Sequence, residues 1–231
     1  TVRGRGAMSE LMRHLIRDHG CRNFALVAGP RGHLEAEERE AVFREELAAH
    51  GIAFDQGLLV RGTFVAESGA LAARELLDRG MHFDTLVCIN DRMAMGAMEV
   101  LREAGLRIPA DVRVSGFDDI AEACWESPPL TTVNQPLECL GREAVDMLED
   151  LLQGRTVEDR HLDCGFVVRE SCGCVPGRRY EGMPPVAEAD RPLLQQLSSC
   201  LETGQSDRFL ALLNNHLVEL QAGAGPGLLD R

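Results

Sequence analysis

The sequence predicts an α/β fold, a doubly wound parallel sheet, and three observations predict it. Short apolar runs recur at 24–30, 57–63, 84–90 and 112–119. Between them lie longer amphipathic stretches, and this alternation is how parallel strands covered by helices read. Repeated strand-helix units of this kind imply right-handed crossovers. At 231 residues, with 45% hydrophobic and 26% charged, the chain is also long enough and apolar enough to bury one sizeable core plus an appendage.

The elements follow in order. A helix is expected at 6–19, then the strand FALVAGP at 24–30, and a second helix at 34–49, where apolar residues recur at three and four. GLLVRGT at 57–63 and DTLVCIN at 84–90 are the next strands, flanking a helix at 66–79. The helix at 91–105 carries the stripe Met93, Ala97 and Leu101, and VRVSGFDD at 112–119 is the fourth strand. The rhythm then changes. WESPPLTTVNQPL holds two adjacent prolines and a β-branched strand of its own, before a helix at 137–152 that lies elsewhere and a strand at 161–170. The Gly- and Pro-rich residues 176–192 read as a linker. Beyond it, Leu193, Leu194, Leu197 and Leu201 mark one helix. Phe209, Leu212, Leu213, Leu217 and Leu220 mark a second behind a Ser206/Asp207 cap, so a helical hairpin is expected over 193–221 and a flexible tail over 222–231.

In open α/β sheets, ligands bind beyond the carboxyl ends of the strands, where loops converge and helix N-termini point inward. Asn90 and Asp91 close the third strand, Asp118 and Asp119 close the fourth, and Arg39 lies in the first turns after the loop that follows the first. A carboxylate, an amide and a guanidinium together can pair with vicinal hydroxyls of a sugar or with purine edges. Each has a second reading. Asn90 or Asp91 caps the following helix, Asp118 and Asp119 form turns with solvated carboxylates, and Arg39 serves surface ion pairs within EAEEREAVFREE. Phe64, judged alone, is core rather than a stacking platform, and Gln135 is uninformative by itself.

Other chemistry is not expected. No G-x-S-x-G elbow, G-x-x-x-x-G-K-[ST] loop or H-E-x-x-H motif occurs, so no catalytic residue is nominated. Cys172 and Cys174, with Cys164 nearby, form a C-x-C without a matching second pair, which is a weak metal signal. His14 and His19 are five apart, so a helix turns them to different sides; no metal and no cofactor are expected. A net charge of −13 opposes attraction to phosphate backbones. The one basic stretch, Arg3 to Arg22, is interrupted by Glu10 and Asp18 and reads as a solvated helix face. The opening residues lack the apolar core of a secretory signal, and no apolar run reaches membrane-spanning length. Eight irregularly spaced cysteines suit reduced thiols, so a cytoplasmic location without membrane partners is expected.

In order and spacing, HLIRDHGCRNFALVAGP, Arg39 within an acidic helix, LLVRGTF, LVCINDRMAMGAMEVLREAGLRIPADVRVSGFDDI, and PPLTTVNQP followed by GREAVDML resemble the effector domain of lactose-repressor/galactose-repressor (LacI/GalR) regulators, over about residues 6 to 172. The resemblance implies a periplasmic-binding-protein-like sensor spanning 1–175. About 6–120 would be its C-terminal lobe and about 128–152 a partial N-terminal lobe. It implies a sequence that begins after the DNA-reading headpiece and the first N-terminal-lobe units. It further implies that Arg39, Asn90, Asp118 and Gln135 hydrogen-bond a small effector, sugar-like or nucleobase-like, while Phe64 covers its apolar face. The opening RGRG lacks the acidic residue that some members place there. The implied assembly is a homodimer, and DNA would be reached only through a headpiece or output module outside this sequence. The segment RESCGC with the following helical pair also resembles sensors that precede a diguanylate cyclase or histidine kinase. The alternative function on the same fold is an exported solute-binding protein for a transporter or chemoreceptor.

Overall fold

The computed structural model describes residues 1–174. The linker, hairpin and tail expected at 176–192, 193–221 and 222–231 lie outside the described residues. The elements run β1 (Val2–Arg3), α1 (Arg5–Arg17), β2 (Phe24–Ala28), α2 (Leu34–Ala49), β3 (Leu59–Arg61), α3 (Ala66–Asp78), β4 (Thr85–Cys88), α4 (Asp91–Glu103), β5 (Arg113–Ser115), β6 (Thr132–Asn134), α5 (Leu137–Leu152), β7 (Leu162–Asp163) and β8 (Gly165–Val167).

Four strands form a parallel sheet in the order β3-β2-β4-β5. Every residue of β2 and β4 is buried, which requires cover on both faces of the sheet. Two helix pairs supply it, α1 against α2 and α3 against α4. The second pair approaches closely because Gly69 and Gly96 stand at the crossing. A Cβ on either would lie 2.0 Å from a backbone oxygen of the partner helix, that of Met93 or Ala66. The alternation of strand and helix expected from the sequence is present, and the bounds of α2 and α5 match the expected ranges. The strands are shorter than expected: Gly57 and Leu58 belong to a 3-10 turn before β3, and the carboxyl-end residues of the other runs leave the ladder for the loops described below.

The run expected as one strand at 161–170 is instead two. β7 pairs with β1, and β8 pairs antiparallel with β6. Gly165 follows Cys164 at the break, so the two halves serve different partners. β6 in turn continues the main sheet past β5. Ser115 bridges Thr131, Asp118 bridges Asn134, and the Asp118 amide donates to the Val133 carbonyl at 2.8 Å.

Helix α5 has no buried residue, and Leu137, Val145, Leu148, Leu151 and Leu152 are all exposed, so its apolar face is uncovered among the described residues. None of the described helices is long and apolar enough to cross a membrane.

One expectation fails outright. His14 and His19 do not point apart; their ring centroids are 4.6 Å from each other. Helical periodicity does not apply to this pair, because α1 ends at Arg17 and Gly20, at φ +67°, turns the chain back. His19 thus lies beyond the helix and folds against its last turn.

Candidate functional site

The strand order defines where a ligand cleft belongs. β3 lies on one side of β2 and β4 on the other, so the connections leaving β2 and β4 diverge and open a crevice at their carboxyl ends. α2 follows β2 and carries Arg39; Asn90 follows β4 directly. Both are buried, at 9% and 5% exposure.

The Arg39 guanidinium is held on three sides. Nη1 donates to the Ile89 carbonyl at 2.8 Å and to Asp118 Oδ1 at 3.4 Å, Nη2 reaches Glu35 at 3.4 Å, and the guanidinium carbon lies 3.6 Å from the centroid of the Phe117 ring. Asp118 also accepts from Gln135 Nε2 at 2.5 Å. The sheet extension makes this contact possible, since the bridge between Asp118 and Asn134 sets Gln135 beside the carboxylate. Burial pushes the Asp118 carboxyl up, against the opposing pull of Arg39 and Gln135, and burial pulls the Arg39 guanidinium down, against Asp118 and Glu35. At 3.4 Å the Arg39–Asp118 contact is long for a charge-assisted hydrogen bond.

Asn90 does two things with one amide. Its Oδ1 accepts from the Met93 N–H at 3.1 Å, which caps α4, and its Nδ2 donates to the Phe64 carbonyl at 2.9 Å. The cap reading is correct for this residue, which also ties the loop after β3 to the start of α4. Phe64 sits after β3 at φ +67°, half-buried, with its ring 4.8 Å from that of His33. Among the described residues the only non-glycine residues at positive φ are Phe64, Asp118 and Asp119, and such strain collects where function needs an otherwise unfavourable side-chain position.

The structure therefore brings Arg39, Asp118 and Gln135 into one hydrogen-bonded group, and ties Asn90 and Phe64 to each other at the neighbouring strand ends. Asp119 and Asp91 play other parts. Asp119 accepts from Arg169 Nη2 at 2.6 Å and from Asn134 Nδ2 at 2.9 Å, so it is paired rather than solvated. Asp91 is buried and accepts from the Thr132 hydroxyl at 2.5 Å and the Ile120 N–H at 3.0 Å, which pins the 118–120 loop and β6 to the start of α4. Burial pushes its carboxyl up to about 7, despite those two hydrogen bonds. Sequence reasoning missed Phe117 as the platform under Arg39, His33 beside Phe64, and Arg169 as the partner of Asp119. An aromatic ring next to Asp118-Asp119 was the one local signal for the first; nothing near residues 33 or 169 announced the other two.

The family of periplasmic binding protein-like domains matches residues 12–172. The HTH-type transcriptional regulator CelR of Thermobifida fusca is 42% identical over 154 residues, which are 66% of this chain and 45% of that regulator. The lactose operon repressor of Escherichia coli (strain K12) is 33% identical over 187 residues, 80% of this chain and 51% of the repressor. Among solved structures, a transcriptional regulator CelR–cellobiose complex superposes with a TM-score of 0.67 at 40% identity, covering 72% of this chain and 51% of that one. The chain thus spans about half the length of the curated relatives it matches.

Proposed function

The chain belongs to the lactose-repressor/galactose-repressor family of periplasmic-binding-protein-like sensor domains, and on that premise we propose that it is the effector-sensing part of a bacterial transcriptional regulator. The observation that carries this reading is the Arg39–Asp118–Gln135 group at the switch point of the sheet. Arg39 is buried, Asp118 is partly so, and their mutual contact is long at 3.4 Å. A hydroxyl-rich ligand adds a partner to each, because each hydroxyl both donates to the Asp118 carboxylate and accepts from the guanidinium. Phe64 offers an aromatic face to ring C–H groups, and Asn90 adds an amide beside it. The arrangement suits a sugar, and the similar regulator solved with cellobiose supports the same class.

In this reading the ligand acts by differential affinity. It stabilises the conformation in which the crevice is closed and so biases a DNA-reading module that is connected to the sensor, acting as part of a homodimer in the cytoplasm. Catalysis has no part in it, in keeping with relatives named as regulators. Calorimetric titration with cellobiose, a panel of mono- and disaccharides, and nucleosides tests the proposal. Saturable binding of at least one sugar, abolished in Asp118→Ala, is the expected outcome; binding that is indifferent to Arg39→Ala and Asp118→Ala removes the site.

A further inference from the structure

A second cluster of side chains lies at the opposite end of the sheet, where the strands begin. His14 comes from the last turns of α1, His19 from the turn that leads to β2, and Cys172 and Cys174 from the segment after β8. We propose that these four residues form a tetrahedral site for a divalent cation of the zinc class, which clips the segment following β8 to the end of α1. The effector reading is not needed for it.

The first support is geometric. One ligand atom from each residue lies within 4.8 Å of all the others. Zinc bonds of about 2.3 Å to sulfur and about 2.0–2.1 Å to nitrogen set neighbouring ligand atoms about 3.3–3.8 Å apart in a tetrahedron. The His14 Nε2 atom is 3.5 Å from both sulfurs, and His19 Nε2 is 3.4 Å from Cys174 Sγ. The two Nε2 atoms are 3.0 Å apart, slightly inside the edge a cation would impose.

The second support is the environment of His14. Its Nδ1 lies 2.8 Å from the Asp18 carboxylate. A proton on Nδ1, donated to Asp18, leaves the Nε2 lone pair facing the thiols, and a carboxylate behind a ligating imidazole is the usual outer-shell partner of zinc. The third is the backbone at Gly173. Its φ of +102° lets both flanking cysteines turn to the same side, and a Cβ there would lie 3.4 Å from the His19 ring. Cys172 is fully buried and the other three ligands are partly so. Two thiolates and two neutral imidazoles around a dication make a net-neutral group, which suits such burial. Binding displaces the two thiol protons to solvent, so charge balances without any redox step.

The test uses the whole 231-residue chain. Protein purified without chelator is expected to hold about one zinc, measured by elemental mass spectrometry. After removal of the metal under reducing conditions, Co2+ is expected to restore a tetrahedral ligand-field spectrum with a thiolate charge-transfer band. Cys174→Ser and His19→Gln abolish both signals, whereas Cys139→Ser, on the exposed face of α5, keeps them. Asp18→Asn leaves all four ligands in place at an exposed position and is expected to weaken zinc about ten- to hundredfold, a readout that does not depend on how the ligand variants fold. A reduced protein that takes up no Co2+, uptake that survives the ligand substitutions, or a Cys172–Cys174 disulfide as the stable state of the metal-free chain overturns the proposal.

Discussion

Arg39 Nη1 stands 3.4 Å from Asp118 Oδ1, at the long end of a charged hydrogen bond, with Arg39 buried and Asp118 partly exposed at the same strand ends. In the proposed reading a ligand hydroxyl adds a further partner to each of these groups. Arg39→Lys keeps the charge but loses the fork, and it is expected to lower sugar affinity at least tenfold, about 1.5–3 kcal/mol for a hydrogen bond to a charged group. Calorimetric titration of wild type and variant checks this, with urea unfolding of both to separate binding from stability.

Phe64 separates strain from recognition. At φ +67° a glycine relieves backbone strain but gives up the ring's packing against the core, so the two effects oppose each other and Phe64→Gly is expected to lower the urea midpoint only modestly. Affinity for the same sugar should fall nevertheless, since the aromatic face is gone. A variant that binds as tightly as wild type removes Phe64 from the site.

Asp91 predicts the direction of one pH dependence. Its carboxyl is pushed from 3.8 up to about 7 in the fold, so between those values the folded chain keeps a proton that the unfolded chain has released. Stability contributed at this position is therefore present below about pH 4, is lost as pH rises through about 7, and is level beyond. Asp91→Asn removes the titration. The difference in urea-unfolding free energy between wild type and variant is expected to shift against wild type from pH 5 to pH 8, within a bound of about 3 kcal/mol. An unchanged difference across that range refutes the assignment.

Buried Arg169 pairs with the partly buried Asp119 at 2.6 Å, and Arg169 Nη1 also donates to the Leu130 carbonyl at 2.9 Å. Removing one partner strands the other charge. Arg169→Ala is expected to cost about 2–3 kcal/mol in urea unfolding, less than for a fully buried pair because Asp119 is partly exposed and keeps Asn134. It should also weaken sugar binding, because Asp119 anchors Asn134 and thereby the segment that presents Gln135. A loss below 1 kcal/mol, on the scale of a surface ion pair, overturns this account.

The layered α/β fold was legible in the sequence because it follows from local periodicity. Buried strands such as 24–28 read as apolar runs, and helices such as 34–49 carry their own apolar rows and ends. The polar residues at strand ends were legible for the same reason, since Asn90 and Asp118 stand where an apolar run stops. Their grouping was not. Arg39 meets Asp118 across 79 residues only because β2 and β4 are neighbours and β6 extends the sheet to carry Gln135. The histidine-cysteine cluster shows the limit most clearly. Spacing on a helix set His14 and His19 apart, and a lone C-x-C looked too weak to matter. The end of α1 at Arg17 and the return of the chain after β8 bring the four together across 160 residues. Pattern along the chain determines which segments bury a face and how they are shaped. Which polar groups then converge is decided by strand order and by where helices stop, because those contacts depend on chain closure over long separations rather than on any residue's near neighbours.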